Sequence, residues 1–436
     1  MKRRIEILAA ILLLLAAAVL PGCTGRKPPE VVRTSEEAPE KAVLTASVNL
    51  LASYSRKSKE KPEVTSALRD ACCEFSFDLF RQAAGNEDNG NVLISPLSAY
   101  CCLALAANGS DGETKAEMEK VLGLSVEELN RELYAFNKAL PSSKDQKMSL
   151  ANSLWFRKSE NLVMEKAYLQ SLADWYDAGL YLDPFDASTP GRINRWCGEN
   201  TDGMIDQILD NPPDAAAMIY LLNALAFQGV WDKPYEEGMI TQKTFRNADG
   251  TSASATMLRA NEKILLENDS AIGFVKPYKN SEFSFAALLP ADENADVYGF
   301  AASLTGDVWQ DLWNSRINDA TVKTMIPEFS AEAEYDLTDA LKELGIRKIF
   351  SDEADLSKMA QSDTILSASR VRQKTWLKLD RKGTEAAAVT VMDVTGAAMP
   401  VKPAVIREVY LDRPFVYLIL RDEIPVFIGV TASLNP

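Results

Sequence analysis

Apolar residues first recur at helical spacing from about Val64: in TSALRDACCEFSFDLFRQAA, Leu68, Cys72, Phe75 and Leu79 share one face. After a turn at Asn91 to Pro96, SPLSAYCCLALAANGS is apolar on nearly every side, the pattern of a helix enclosed by other elements rather than laid on a surface. GETKAEMEKVLGL predicts a third helix, with Thr114 and Glu117 at capping-box spacing. The chemistry then turns to strands in ANSLWFRK, AAAMIYLLNALAFQGVW, TFRNADGTSASATMLRA and FSFAALLP, and back to helix in YDLTDALKELGI. FVYLILRDEIPVFIGVTASL reads as two buried strands joined by a tight turn at Arg421 to Ile424. Helices dominate the first third and strands the rest, without regular alternation, so the predicted class is α+β with large antiparallel sheets. No internal repeat is visible.

Residues 383–412, GTEAAAVTVMDVTGAAMPVKPAVIREVYLD, combine strand chemistry with small residues and prolines over a length that compact domains rarely leave without a use. Read with period two, one face holds Thr384, Ala386, Ala388, Thr390, Met392 and Val394, small at first, then apolar, and uncharged throughout. The opposite face holds both acids, Glu385 and Asp393. Such a segment is prepared to become a strand even when it starts as a loop.

Composition narrows the chemistry. The 436 residues carry 47 basic and 62 acidic side chains, a net charge of −15 that repels phosphate backbones and anionic lipid surfaces and makes nucleic acid an unsuitable partner. There is no histidine, which removes the usual general base near neutral pH, the Ser/His/Asp and Cys/His nucleophile arrangements and the commonest zinc ligand. A Ser-x-x-Lys pair, Ser58 and Lys61, keeps a Ser/Lys hydrolase open as a remote alternative, although it lies in the polar run SYSRKSKEKPE. Neither a Gly-rich phosphate loop nor a Cys-x-x-Cys pair is present, so no metal and no cofactor is expected.

Lys2, Arg3 and Arg4 precede the apolar run ILAAILLLLAAAVL and then LPGC, the three-part form of an export signal ending at Cys23. A cysteine after a small residue at the cleavage point resembles a bacterial lipobox, which predicts a signal peptide over 1–22 and a lipidated Cys23. Residues 23–65 then read as a lipidated end and flexible tether holding a domain of residues 66–436 at a membrane that faces the periplasm or cell exterior. An ordinary signal peptide or a short membrane anchor remains the alternative. Cys72, Cys73, Cys101, Cys102 and Cys197 are expected to be buried free thiols, because vicinal residues on a helix point about 100° apart.

Seven segments in order make the chain similar to the serpins from about residue 66 to Pro436. They are NVLISPLSAYCCLALAANGSDGETKAEMEKVLG, ANSLWF, INRWCGENTDGMI, LLNALAFQGVWDKPY, IPEFSAEAEYDL with LKELGIRKIFS, KGTEAAAVT, and RPFVYLI with FIGVTASLNP. The resemblance implies the serpin fold of three β-sheets and eight to nine α-helices, with an exposed reactive-centre loop. It also implies irreversible, suicide-type inhibition of serine or cysteine proteases. The protease cuts the loop and becomes acylated, the hinge enters the central sheet as a new strand, and the attached protease is distorted. A monomer able to form loop–sheet polymers is implied as well.

Onto this chain the resemblance carries a hinge of Gly383, Thr384, Glu385, Ala386, Ala387, Ala388, Val389 and Thr390. Its buried face has no charge and no bulky side chain, either of which would hinder insertion. Counting on from Gly383 places the reactive bond at Ala397–Ala398, with Gly396 and Met399 as its margins, and small residues there suit elastase-like, subtilisin-like or papain-like proteases. Ser95, Ser98 and Asn223 match polar residues beneath the opening sheet, Gln373 stands where the family often has a histidine, and Trp231 matches the aromatic where insertion starts. Arg381 and Glu328 stand where the family often pairs a glutamate with a lysine, so both signs are reversed. A non-inhibitory serpin acting as a binding or chaperone module is the second reading.

Overall fold

A computed structural model describes residues 46–85, 87, 90–140, 143, 145–384 and 405–434. Its first half holds β1 (Val48–Asn49), α1 (Ser66–Gly85), β2 (Val92–Ile94), α2 (Pro96–Ala107), α3 (Gly112–Leu122), α4 (Val126–Lys138), β3 (Gln146–Arg157), β4 (Val163–Met164), α5 (Lys166–Trp175), β5 (Gly179–Asp183) and α6 (Thr189–Asn200). The long strand β6 (Ile219–Val230) leads into β7 (Ile240–Arg246), β8 (Ser252–Glu262), β9 (Ile264–Glu267), β10 (Ala271–Pro277) and β11 (Phe283–Pro290). Then come α7 (Val297–Ser303), α8 (Gly306–Asn314), β12 (Thr321–Pro327), β13 (Phe329–Asp336), α9 (Thr338–Leu344) and β14 (Ala360–Gln361). The chain ends with β15 (Ala368–Asp380), β16 (Gly383–Thr384), β17 (Ile406–Tyr410), β18 (Phe415–Arg421) and β19 (Ile424–Thr431).

Local chemistry explains the helix ends. Ser95 caps α2, its hydroxyl accepting from Ser98 N at 3.3 Å ahead of a proline at the first helical position, and every residue of that helix is buried. The capping box expected at Thr114 and Glu117 is not formed. Asp111 caps α3 instead, and those two side chains reach away to accept from the backbone of Asp355 and of Arg347 and Lys348. A capping box does stand one helix later, at Ser125 and Glu128 of α4. On α1 the buried face is wider than the predicted stripe, since Cys73, Phe77 and Phe80 are enclosed together with Leu68, Cys72, Phe75 and Leu79.

Among the described residues three large sheets form, ordered β1-β5-β3-β6-β16-β15-β13, β2-β19-β18-β11-β10-β9 and β17-β12-β8-β7, with a two-stranded pair β14-β4. Helix α2 packs against β3, β6 and β19, so it fills the space between the first two sheets. In the first sheet β6 and β15 are parallel neighbours from Ile219 with Ala368 to Leu225 with Thr375. Beyond that point they separate, and β16 lies between them.

Residues 46–65, expected to belong to a flexible tether, are held against the domain at several points. Val48 and Asn49 pair antiparallel with Leu182 and Tyr181, Ser47 donates its hydroxyl to Asp183, and Leu50, Leu51 and Tyr54 pack on the core. The apolar patch within the polar run supplies these contacts, an edge strand being the natural use for it. Farther on, the Arg56 guanidinium lies 3.9 Å above the Tyr134 ring and donates to the carbonyl of Asp174. Ser58 gives its backbone N–H to Asp174, while Lys61 is exposed, so the pair lacks the water-excluding support a Ser/Lys hydrolase requires. The cysteines after Cys23 are all free and buried. Burial pushes the thiols of Cys73, Cys101 and Cys197 up to about 12, which keeps them protonated and unreactive.

Candidate functional site: the top of the central sheet

Strand β15 ends at Asp380, whose carboxylate accepts from Lys382 N at 2.7 Å and Gly383 N at 3.3 Å and so reverses the chain. The returning residues form β16. Gly383 faces Val230 and Asp380, and Thr384 faces Gly229 and Leu379. A Cβ on Gly383 would stand 1.9 Å from the carbonyl oxygen of Gly229, so only glycine lets the two backbones come this close.

Trp231 locks this turn. Its backbone N–H donates to Lys382 O at 2.9 Å and its indole N–H to Asp380 O at 3.0 Å, while Tyr235 N donates to Arg381 O at 2.8 Å. Tyr278 stacks on Trp231 with ring centroids 4.4 Å apart and planes 13° from parallel. Its hydroxyl meets that of Thr384 at 2.6 Å, and Thr384 is fully buried. Burial pushes the Tyr278 phenol far above its ordinary range, against the smaller opposing effect of the bond to Thr384, so both hydroxyls are neutral partners. Gly383 and Thr384, the first two residues of the expected hinge, thus form a strand, and below them β6 and β15 pair directly with each other.

That ladder is held from beneath by a neutral cluster. Gln373 on β15 donates to Asn223 Oδ1 on β6 at 2.7 Å and to Ser95 O at 2.8 Å, and accepts from Ser95 N at 2.8 Å. Ser95 donates its hydroxyl to Val426 O at 3.0 Å, and Ser98 donates to Asn152 Oδ1 at 3.4 Å. Separating β6 from β15 breaks the Gln373–Asn223 bond directly. The amide of Gln373 carries no titrating proton near neutral pH, so the clasp itself gives no pH dependence there.

Gln373→His is expected to create one. A neutral imidazole in this buried position has its pKa driven below the unfolded value of about 6.5, so the unfolded chain binds more protons and stability falls as pH drops through that value. Melting curves at intervals from pH 8 to pH 5 are expected to show a loss of roughly 1–2 kcal/mol for the variant relative to the parent, concentrated below about pH 6.5. A parallel fall in both proteins would remove the assignment.

At the outer end of the turn, Arg381 Nε lies 3.4 Å from Glu328 Oε1, its backbone N–H donates to the same oxygen at 3.1 Å, and Nη1 lies 3.3 Å from Glu237 Oε2. The Glu237 side chain is 91% exposed and that of Arg381 42%, so the two ion pairs together orient the turn more than they stabilise it, at about 0–1 kcal/mol each.

The structure therefore brings together Gly383, Thr384, Trp231, Arg381 and Glu328 at the top, and Ser95, Ser98, Asn223 and Gln373 below. Glu385, Ala386, Ala387, Ala388, Val389 and Thr390, the reactive-bond positions Gly396 to Met399, and Cys23 lie outside the described residues. Sequence reasoning missed Tyr278, Gly229, Glu237 and Asn152. Tyr278 is 106 positions from Thr384 at the end of a strand in another sheet, and no local pattern marks it. Gly229 has a readable signal, a glycine inside a long strand pattern, which marks close approach of another backbone.

A family model described as "Serpin (serine protease inhibitor)" matches residues 70–434. Among solved structures, the thermophilic serpin tengpin in its native state is 36% identical, with a TM-score of 0.83 over 89% of this chain and 100% of that one. The same protein in its latent state gives a TM-score of 0.74 over 86% of this chain and 100% of that one, at 36% identity. A curated relative, the leukocyte elastase inhibitor of Xenopus laevis, is 29% identical over 81% of this chain and 95% of its own length.

Proposed function

Because the chain belongs to the serpin family, we propose that it is an irreversible inhibitor of serine or cysteine proteases, acting by loop cleavage, trapping of the acyl-enzyme and entry of the hinge strand into the central sheet. The observation that carries this reading is Thr384, fully buried between β6 and β15 at the head of a segment in which every second residue, Ala386, Ala388 and Thr390, is small and uncharged. A non-inhibitory role would tolerate a charge or a bulky side chain at those positions. We assign the reactive bond to Ala397–Ala398, and the small residues around it, with an elastase inhibitor among the relatives, favour an elastase-like target. The apolar run before Cys23 supports export and lipid anchoring of the whole molecule.

The test is incubation of the pure protein with elastase, subtilisin, papain and trypsin. The expected product is a complex stable in boiling detergent with at least one of the first three, and sequencing of the released carboxyl-terminal fragment is expected to begin at Ala398. Quantitative loop cleavage without any complex would replace inhibition by a binding role. Labelling of expressing cells with radioactive palmitate is expected to mark the parent and not Cys23→Ala; equal labelling would remove the anchor.

A further inference from the structure

Behind the hinge turn lies a cavity of about 420 Å³, within the size range of small-molecule sites. Its walls come from the loop after Trp231, the end of β8, the start of β9 and the end of β10. Ile264, Val275, Pro277 and the ring of Tyr235 give it an apolar lining. At its mouth Met239 is 38% exposed, and Ile317, next to the lining residue Asn318, is equally so, two of the few large apolar side chains left in solvent among the described residues.

Basic side chains outnumber acidic ones in this cavity. Lys276 is buried, bonded to Glu262 at 2.9 Å and to Lys233 O at 3.3 Å, with its ammonium 4.5 Å from the Tyr235 ring centroid. Lys233 and Lys263 stand exposed at the rim, so three lysines face two carboxylates, Asp232 and Glu262, in a chain of net charge −15. Tyr235 is 6% exposed and its hydroxyl has no hydrogen-bond partner.

We propose that this cavity binds a small amphipathic carboxylate, an aliphatic or aromatic body with one anionic head, and that its occupancy is coupled to the position of the hinge. The apolar lining takes the body, and the unpartnered Tyr235 hydroxyl with the excess of lysines selects an acceptor that is negative. Coupling follows from a shared wall: Tyr235 lines the site and its backbone N–H also holds the carbonyl of Arg381, while Trp231, which holds the carbonyl of Lys382, has its ring centroid 5.3 Å from the ammonium of the lining residue Lys276. The site goes beyond protease inhibition and does not depend on it.

Calorimetric titration of the full chain with 2-naphthoate and with decanoate tests the site, with 2-naphthamide as the uncharged control. One saturable site is expected, at least about fivefold weaker for the amide, weakened at least about tenfold in Met239→Trp, which plugs the mouth, and about fivefold in Lys233→Glu/Lys263→Glu, both exposed positions. In Gly383→Val, whose side chain drives β16 out of the sheet, the affinity is expected to change at least about threefold. No saturation of the folded parent by either acid, or undiminished affinity in the mouth and rim variants, would overturn the site. Equal affinity in Gly383→Val would overturn the coupling, and equal affinity of the amide the requirement for an anion.

Discussion

Thr384→Arg is expected to leave a folded protein that proteases cut as a substrate, with complex formation reduced roughly a hundredfold. The arginine side chain would have to enter the site where Thr384 is fully enclosed and bonded to Tyr278, and burying an unpaired charge there costs several kcal/mol, where about 1.4 kcal/mol is a factor of ten. The native fold escapes this penalty, because Gly383 and Thr384 sit above the stretch where β6 and β15 pair with each other and can leave the sheet without disturbing that ladder. Its midpoint of thermal unfolding is therefore expected to move by only a few degrees, on the order of 1–2 kcal/mol. Densitometry of detergent gels separates complex from cleaved inhibitor, and undiminished complex in this variant would contradict insertion.

A single cut between Gly396 and Met399 is expected to raise the melting temperature of the parent by at least roughly 10 °C. Once cut, the hinge is free to extend β16 downward between β6 and β15. About ten residues gaining ladder bonds at a net 0.5–1.5 kcal/mol each amount to roughly 5–15 kcal/mol, before side-chain burial is counted. Differential scanning calorimetry before and after limited proteolysis measures the effect directly. An unchanged transition would mean that the sheet stays closed, and would favour a binding role for the molecule. The same cut in Thr384→Arg is expected to give little or none of the gain, which ties the two results to one side chain.

The α+β class and three-sheet serpin fold are legible because the strands of the second half are long, apolar and separated by clear turns, and because the family segments recur in order. The small inward face from Thr384 is legible for a different reason, since period two exposes it without knowledge of any partner. Where several distant segments meet, the sequence falls short. Tyr278 reaches Thr384 from a strand in another sheet, and Ser47 reaches Asp183 across 136 positions, so neither contact leaves a local trace. Thr114 shows the complementary failure: its spacing to Glu117 suits a cap, but the tertiary demand of the Asp355 backbone takes the hydroxyl elsewhere. Composition misled at residues 46–65, where a polar run hid both the few apolar positions that pin the segment near the sheet edge and the Arg56 that lies over Tyr134.

The two residues of β16 bear on speed as well as on stability. Starting a new strand is the slow event in zippering, because chain entropy is lost before the first bonds repay it, whereas adding each later rung is fast. With Gly383 and Thr384 already seated, that initiation is complete in this structure. Under the proposed trapping mechanism the race between hydrolysis of the acyl bond and translocation of the enzyme would start from a nucleated zipper, and its outcome would rest on how quickly Gln373 and Asn223 let go of each other.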